Sequence, residues 1–347
     1  MRVQEIGSEY HYCPVEVPIG ESTHRMFPVR DYAYTYSGRT SIETVLRNLT
    51  GVKKALLPSY CCDSMIEPFR AAKIEVAFYD VFWDTEMKMK LQMEDDVDLL
   101  LWCNYFGFRR EMPDLSWFLD RGGILVEDIT HSYLSDTPFH TQSQFLIASV
   151  RKWFPLLCGG YCASQIGEFQ YKPRTEVSAE FIEMKALAMK QKAEYLACND
   201  ERLKEQYLEN FSKSNHWLAE HYSELKMDPQ SSRYLSVVDV QSIKERRKEN
   251  AAVIYAWLRK QKRFLPLFDE KDMDCPLFVP IICKDKTQRD ALRQRLIAEK
   301  IYCPIHWPQP KHNCSSNLYD LELSLICDQR YGKGDMNRMM QVVCAEM

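Results

Sequence analysis

Between residues 30 and 170 the chain alternates short apolar runs with stretches whose apolar residues recur at helical spacing. The runs are Lys54-Ala-Leu-Leu, Ile74-Glu-Val-Ala-Phe-Tyr, Asp98-Leu-Leu-Leu-Trp-Cys, Gly123-Ile-Leu-Val, Phe145-Leu-Ile-Ala-Ser and Gly160-Tyr-Cys-Ala. Runs this continuous suit strands buried on both faces, hence a mostly parallel sheet covered by helices. Ile42, Val45, Leu46 and Leu49 mark one of the intervening helices. Strands alternating with helices predict an α/β fold.

Residues 176–225 change character: they are charged, rich in Glu, Lys, Ala, Leu and Met, and contain no glycine, which predicts long helices. Ile243 to Lys262 continues in that manner. A smaller α+β unit follows, with strands at Pro276-Leu-Phe-Val-Pro-Ile-Ile-Cys and Ile301-Tyr-Cys-Pro-Ile-His, a helix from Thr287 to Glu299 and a last helix from Asp335. The first thirty residues hold three prolines and two glycines and read as an irregular arm. The expected division is an arm over 1–30, a large α/β domain with its following helices over 31–225, and a small C-terminal α+β domain over 226–347.

Composition narrows the class. A 46% hydrophobic content supports a sizeable core, and a net charge of -4 without a basic stripe argues against nucleic acid. The thirteen cysteines are scattered and lack zinc-ligand spacing, so no metal is expected and a reducing cytoplasm is. No apolar run approaches the ~18 residues of a membrane span.

Three segments could carry chemistry. Ser37-Gly38-Arg39-Thr40 precedes a predicted helix, whose free N–H groups and dipole can hold a phosphate, aided by hydroxyls and a guanidinium. Glu127-Asp128-Ile-Thr-His131 follows a buried strand, on the edge where open α/β sheets bind ligands; a carboxylate there can accept from a protonated ring nitrogen, and His131 can bond another ring substituent. Ser149-Val-Arg151-Lys152-Trp-Phe, followed by Gly159-Gly160, sets a lysine among aromatics beside an arginine. Desolvation and like charge both lower an amine's pKa and make it a nucleophile toward carbonyls. Each segment alone also fits a capped helix, a capping carboxylate or a surface lysine. In this order on one sheet they describe a phosphate cup, a ring-nitrogen partner and a Schiff-base lysine, which is what pyridoxal phosphate needs.

The same segments resemble fold-type I pyridoxal-phosphate enzymes, and among them the DegT/StrS-type sugar aminotransferases. The likeness is carried by Ser37-Gly-Arg-Thr-Ser-Ile with Leu57-Pro-Ser-Tyr, Val126-Glu-Asp-Ile-Thr-His131 and Ser149-Val-Arg-Lys152 with Gly159-Gly160. Asn104-Tyr-Phe-Gly107 and the stretch from Ile301 to Pro308 extend it. The resemblance implies that Lys152 forms the Schiff base, Asp128 holds the pyridinium and His131 bonds the phenolic oxygen. Ser149 and the Gly38–Thr40 turn would hold the phosphate. Arg39 stands where the family usually has a threonine, and Cys62 where it usually stacks an aromatic, so stacking would either be weaker or come from Tyr60. Ser149 lies closer to the lysine than in the sugar enzymes, and the partner subunit's phosphate asparagine has no evident counterpart.

The resulting expectation is a cytoplasmic, homodimeric aminotransferase with shared active sites, a small-molecule amino donor and a keto acceptor, the acceptor being a nucleotide-linked keto sugar. Tyr105, Phe106, Trp153, Trp307, His306, Arg109, Arg110, Arg151 and Arg330 are candidates for holding it. The alternatives are a small amino or keto acid on the same cofactor, and a non-catalytic protein that keeps the fold.

Overall fold

The computed structural model describes residues 5–12, 27–312 and 315–345. In chain order, strand β1 is Ile6–Gly7, β2 is Asp31–Thr35, helix α1 Gly38–Arg47, β3 Lys54–Pro58, α2 Asp63–Ala71, β4 Glu75–Asp84 and β5 Glu86–Lys90. Then come β6 Leu99–Cys103, α3 Ser116–Asp120, β7 Ile124–Asp128, β8 Phe145–Ala148 and β9 Gly160–Ser164. Four helices follow, α4 Ala179–Cys198, α5 Glu201–Glu220, α6 Pro229–Leu235 and α7 Val240–Leu258. The chain ends with β10 Leu265–Pro266, β11 Val279–Ile282, α8 Lys286–Ala298, β12 Ile301–Tyr302, α9 Leu318–Leu321, β13 Glu322–Leu325 and α10 Lys333–Cys344.

Eight strands form the main sheet in the order β2-β9-β8-β7-β6-β3-β4-β5. Its centre, from β8 through β7, β6 and β3 to β4, is parallel, and antiparallel strands close both sides. The central strands β3, β6 and β8 are buried at every residue, as their continuous apolar runs predict. The two outermost strands, β2 and β5, lie outside those runs. Their sequences, Asp-Tyr-Ala-Tyr-Thr and Glu-Met-Lys-Met-Lys, are mostly half-buried or exposed, so they lack the apolar signature of the centre.

The glycine-free stretch forms the long hairpin of α4 and α5. Asn199, at φ 59°, ends α4 in the left-handed region, and the Asp200 side chain caps α5 by accepting from the Arg202 amide. Beyond α7 a three-stranded antiparallel sheet, β10-β11-β13, packs with α8 and α10. Its Ile281 and Leu323, together with Met339 of α10, share one core with Leu56, Leu100 and Leu125 of the main sheet. Leu225, Met227 and Leu235 instead join Trp153 and Phe181 in a second cluster.

Part of the N-terminal arm is regular: Ile6–Gly7 pairs in parallel with Ile301–Tyr302. Residues 13–26 of that arm lie outside the described residues. The strands expected at 276–283 and 301–306 are shorter, spanning only Val279–Ile282 and Ile301–Tyr302. Among the described residues no helix is long and apolar enough to cross a membrane.

Candidate active site

The parallel strands end along one edge, and the sheet register sets three residues side by side there. Cys103 at the end of β6 is level with Asp128 at the end of β7, which is level with Ile147 on β8. All three line one cavity, as expected for the carboxyl edge of an open α/β sheet. Ser149, Arg151 and Lys152, in the turn after β8, close it on one side, and Ser37, Gly38 and Arg39 at the start of α1 close its end.

Asp128 is buried, with Oδ1 accepting from the Thr130 amide at 2.8 Å. Burial pushes its carboxyl up, against the pull of Thr130 and Lys152. A cationic group in the cavity would offset that desolvation cost. Lys152 is pushed the other way: burial lowers its amine, Arg151 adds to the shift, and Cys62 and Asp128 oppose it. Its Nζ lies 3.5 Å from His131 Nε2 and 5.6 Å from the centre of the Trp307 ring.

His131 is also buried, and burial together with Lys152 and His306 holds it well below its usual range, hence neutral. Its Nδ1 accepts from the Phe106 amide at 3.2 Å, which assigns the ring proton to Nε2, on the Lys152 side. Trp307 stacks on the imidazole with centroids 5.6 Å apart and planes 26° apart. Thr130, which sequence reasoning passed over, ties the pieces together. Its amide holds Asp128, its hydroxyl accepts from the Ser149 amide at 2.9 Å, and its carbonyl accepts from the Trp153 indole at 2.7 Å.

At the other end, the Ser37 side chain caps α1 by accepting from the Thr40 amide. The amides of Gly38 and Arg39, in the first turn, have no carbonyl four residues back in the helix. A Cβ on Gly38 would come 3.2 Å from the Ser149 Cβ, so glycine keeps the helix start close to the lysine turn. A Cβ on Gly160 would lie 2.3 Å from the Ser37 carbonyl oxygen. The second glycine of the pair therefore makes room for the chain's own backbone rather than for a ligand. These groups fit pyridoxal phosphate: a buried carboxyl for the ring nitrogen, a neutral imidazole N–H for the phenolic oxygen, a depressed amine for the aldehyde, and helix-start amides with Ser149 for the phosphate.

The structure gathers Gly38, Arg39, Cys62, Asp128, His131, Ser149 and Lys152 around this cavity and leaves Thr40 outside its wall. The Thr40 hydroxyl is spent inside the fold, bonded to Ser37 and donating to the Tyr222 carbonyl at 2.7 Å. Arg39 is at the wall but held by Glu67 at 2.7 Å, and the Cys62 thiol meets Ser64 at 2.9 Å. Tyr60 does not reach the cavity. It is fully buried among Tyr105, Trp307 and Tyr319, so the aromatic ring in the wall is Trp307.

Of the residues considered for an acceptor, Tyr105, Phe106 and Trp153 are core, and Arg109 and Arg110 line a separate cleft with Asp272 and Asp274. His306, Arg151 and Arg330 line a second chamber on the other side of Lys152.

No family model matches this sequence, and no curated protein matches it. Solved structures do. The chain is similar to S. venezuelae DesV, solved in complex with a ketimine intermediate, with a TM-score of 0.62 at 14% identity, over 91% of this chain and 84% of that one. DesI, solved in the presence of its TDP-sugar product, gives 0.62 at 12% identity over 91% and 80%. The sugar aminotransferase CalS13 from Micromonospora echinospora gives 0.60 at 12% identity over 90% and 86%. The chain shares the fold of these solved structures, a large mostly parallel α/β sheet followed by a smaller α+β unit.

Proposed function

We propose that this protein is a pyridoxal-phosphate-dependent aminotransferase with Lys152 as its amine nucleophile and a nucleotide-linked keto sugar as its acceptor. The observation that carries the reading is the half-buried Lys152 amine, its pKa lowered, in one cavity with the Asp128 carboxyl and the start of α1. Pyridoxal phosphate, when bound, supplies an aldehyde for that amine and a ring that takes up negative charge.

The chain's own residues do the rest. Burial shifts Lys152 toward its unprotonated form, the form in which Nζ can attack a carbonyl or take a proton from a substrate carbon and return it. Asp128 supplies the negative charge that keeps a ring nitrogen protonated, and the Thr130 amide fixes its orientation. His131 donates from Nε2 into the cavity while the Phe106 amide holds its other nitrogen. Trp307 covers His131 and Lys152 and sheds water from the reacting side.

The sugar acceptor is supported by the fold neighbours DesI, with its TDP-sugar product, and CalS13, a sugar aminotransferase. We also propose a homodimer, in which a second copy completes the phosphate end of the cavity. The test is a half-reaction. The protein, loaded with pyridoxamine phosphate, should return to the aldehyde absorbance with one of a panel of nucleotide-linked keto sugars. Recovery with small keto acids alone removes the sugar and leaves the cofactor. A protein that takes up no pyridoxal phosphate removes the whole reading.

A further inference from the structure

The second chamber, about 400 Å³, meets the first at Lys152, and Arg151 belongs to the walls of both. Its far side is built from the N-terminal residues Glu9 and Tyr10 and from Arg247, Asp328 and Arg330. Two of its cations are fully engaged within the protein. Arg330 forks onto Asp328 at 2.8 and 3.0 Å and donates to the carbonyls of Ser8 and Glu9. Arg247 donates to Gln329, to the carbonyls of Pro276 and Leu277, and to the Tyr10 hydroxyl. Glu9 is paired with Lys185, behind the chamber, at 3.7 Å.

Arg151 is different. Among the described residues no acceptor is hydrogen-bonded to its guanidinium, and its Nε is buried without a partner. A buried, unsatisfied donor on a charged group is costly, and an oxyanion is the ligand whose geometry and charge match a guanidinium fork. The group also sits one residue from the amine nucleophile. A molecule with a carboxylate next to its amino or keto carbon would present those two groups to Arg151 and Lys152 together.

We infer that Arg151 is an oxyanion-binding residue at the junction of the two cavities, taking the carboxylate of a small amino or keto acid in the second chamber or, by the same chemistry, a phosphate. The inference rests on the proposed aminotransferase reading for the role of Lys152, but the anion site can be measured without it.

Full-length protein freed of cofactor is titrated with succinate and, separately, with inorganic phosphate, following the fluorescence of its tryptophans. Pyridoxal phosphate uptake is followed by absorbance. Wild type, Arg151→Gln and Arg151→Lys are compared, with thermal melts to check folding. The expected result is a loss of succinate affinity of about ten- to hundredfold in Arg151→Gln and a smaller loss in Arg151→Lys. Loss of phosphate and cofactor affinity with succinate unchanged also supports the oxyanion site and identifies its source as the cofactor's phosphate. If Arg151→Gln does not fold, the lysine variant carries the comparison, because it keeps the charge and loses the fork. Wild type that binds neither anion at millimolar concentration, or folded variants that bind both as wild type does, overturns the inference. Wild type that binds succinate through Arg151 but takes up no pyridoxal phosphate leaves it standing and removes the aminotransferase reading instead.

Discussion

The cavity between Asp128 and the start of α1 takes its polar groups mainly from the ends of successive parallel strands and the turns that follow them. The chamber on the other side of Lys152 takes its groups from residues 8–10, from α7 and from the segment after β13. The first is organised by backbone: strand register aligns Asp128, and amides of Thr130 and Phe106 orient Asp128 and His131. The second is organised by buried ions, Arg330 with Asp328 and Arg247 with carbonyls and Tyr10. Strand ends hold reacting groups with little freedom, whereas a chamber assembled from remote segments can change its lining without disturbing them. Loss of function should therefore take different forms on the two sides.

The largest effect is expected at the residue both cavities share. Lys152→Ala should abolish turnover, and borohydride reduction with peptide mapping should find the cofactor label on Lys152 in the wild type and none at residue 152 in the variant. A wild-type label on another lysine would break the assignment. On the chamber side, Asp328→Asn leaves the Arg330 guanidinium, 9% exposed, without its counter-charge. Breaking such a buried pair costs about 3–5 kcal/mol, to be read from urea unfolding, so stability should fall before chemistry does. On the cofactor side the order reverses. Asp128→Asn should lower the single-turnover rate by about 10²–10³ with a smaller change in cofactor affinity. A variant with near-normal turnover would reassign Asp128 to structure and erase the contrast between the two regions.

The smallest effect concerns pH. Glu9 is held down to about 2 from 4.5, first by Lys185 and then, against burial, by Arg151, Asn215 and Lys192. A carboxyl whose folded pKa is depressed contributes stability above its unfolded pKa and loses it as pH falls through the folded one. The stabilisation from Glu9 should therefore be complete above about pH 4.5 and vanish toward about pH 2. Glu9→Gln should flatten the thermal-melt profile across that window. An unchanged slope would show that the N-terminal strap is held by Glu5, paired with Lys192 and Lys204 at 3.3 and 3.4 Å, rather than by Glu9.

Much of the first cavity was legible because its residues follow buried apolar runs, and a run of that kind states where a strand ends and which residue comes next. Asp128, His131, Ser149 and Lys152 could be named on that basis. Thr40 could not be placed the same way. A hydroxyl at a helix start reads as a phosphate donor until the Tyr222 carbonyl, 182 residues away in sequence, is seen to accept from it. Tyr60 and Trp307 show the same limit, since which of two aromatics faces a cavity depends on how α9 and the loop after β12 pack against the sheet edge.

By itself the sequence determined the α/β alternation, the buried central strands, the long helices within residues 176–225 and the order of the chemical segments, because period and apolar content act locally. Only the tertiary structure decided the outermost strands β2 and β5, whose sequences are not apolar enough to announce burial. It alone also joined residues 6–7 to 301–302, sent Arg109 and Arg110 to a cleft of their own, and gave Arg330 and Arg247 their acceptors while leaving the Arg151 Nε without one among the described residues. Whether a charge finds its partner depends on every segment that comes within a few ångströms of it, and no local pattern encodes that distance.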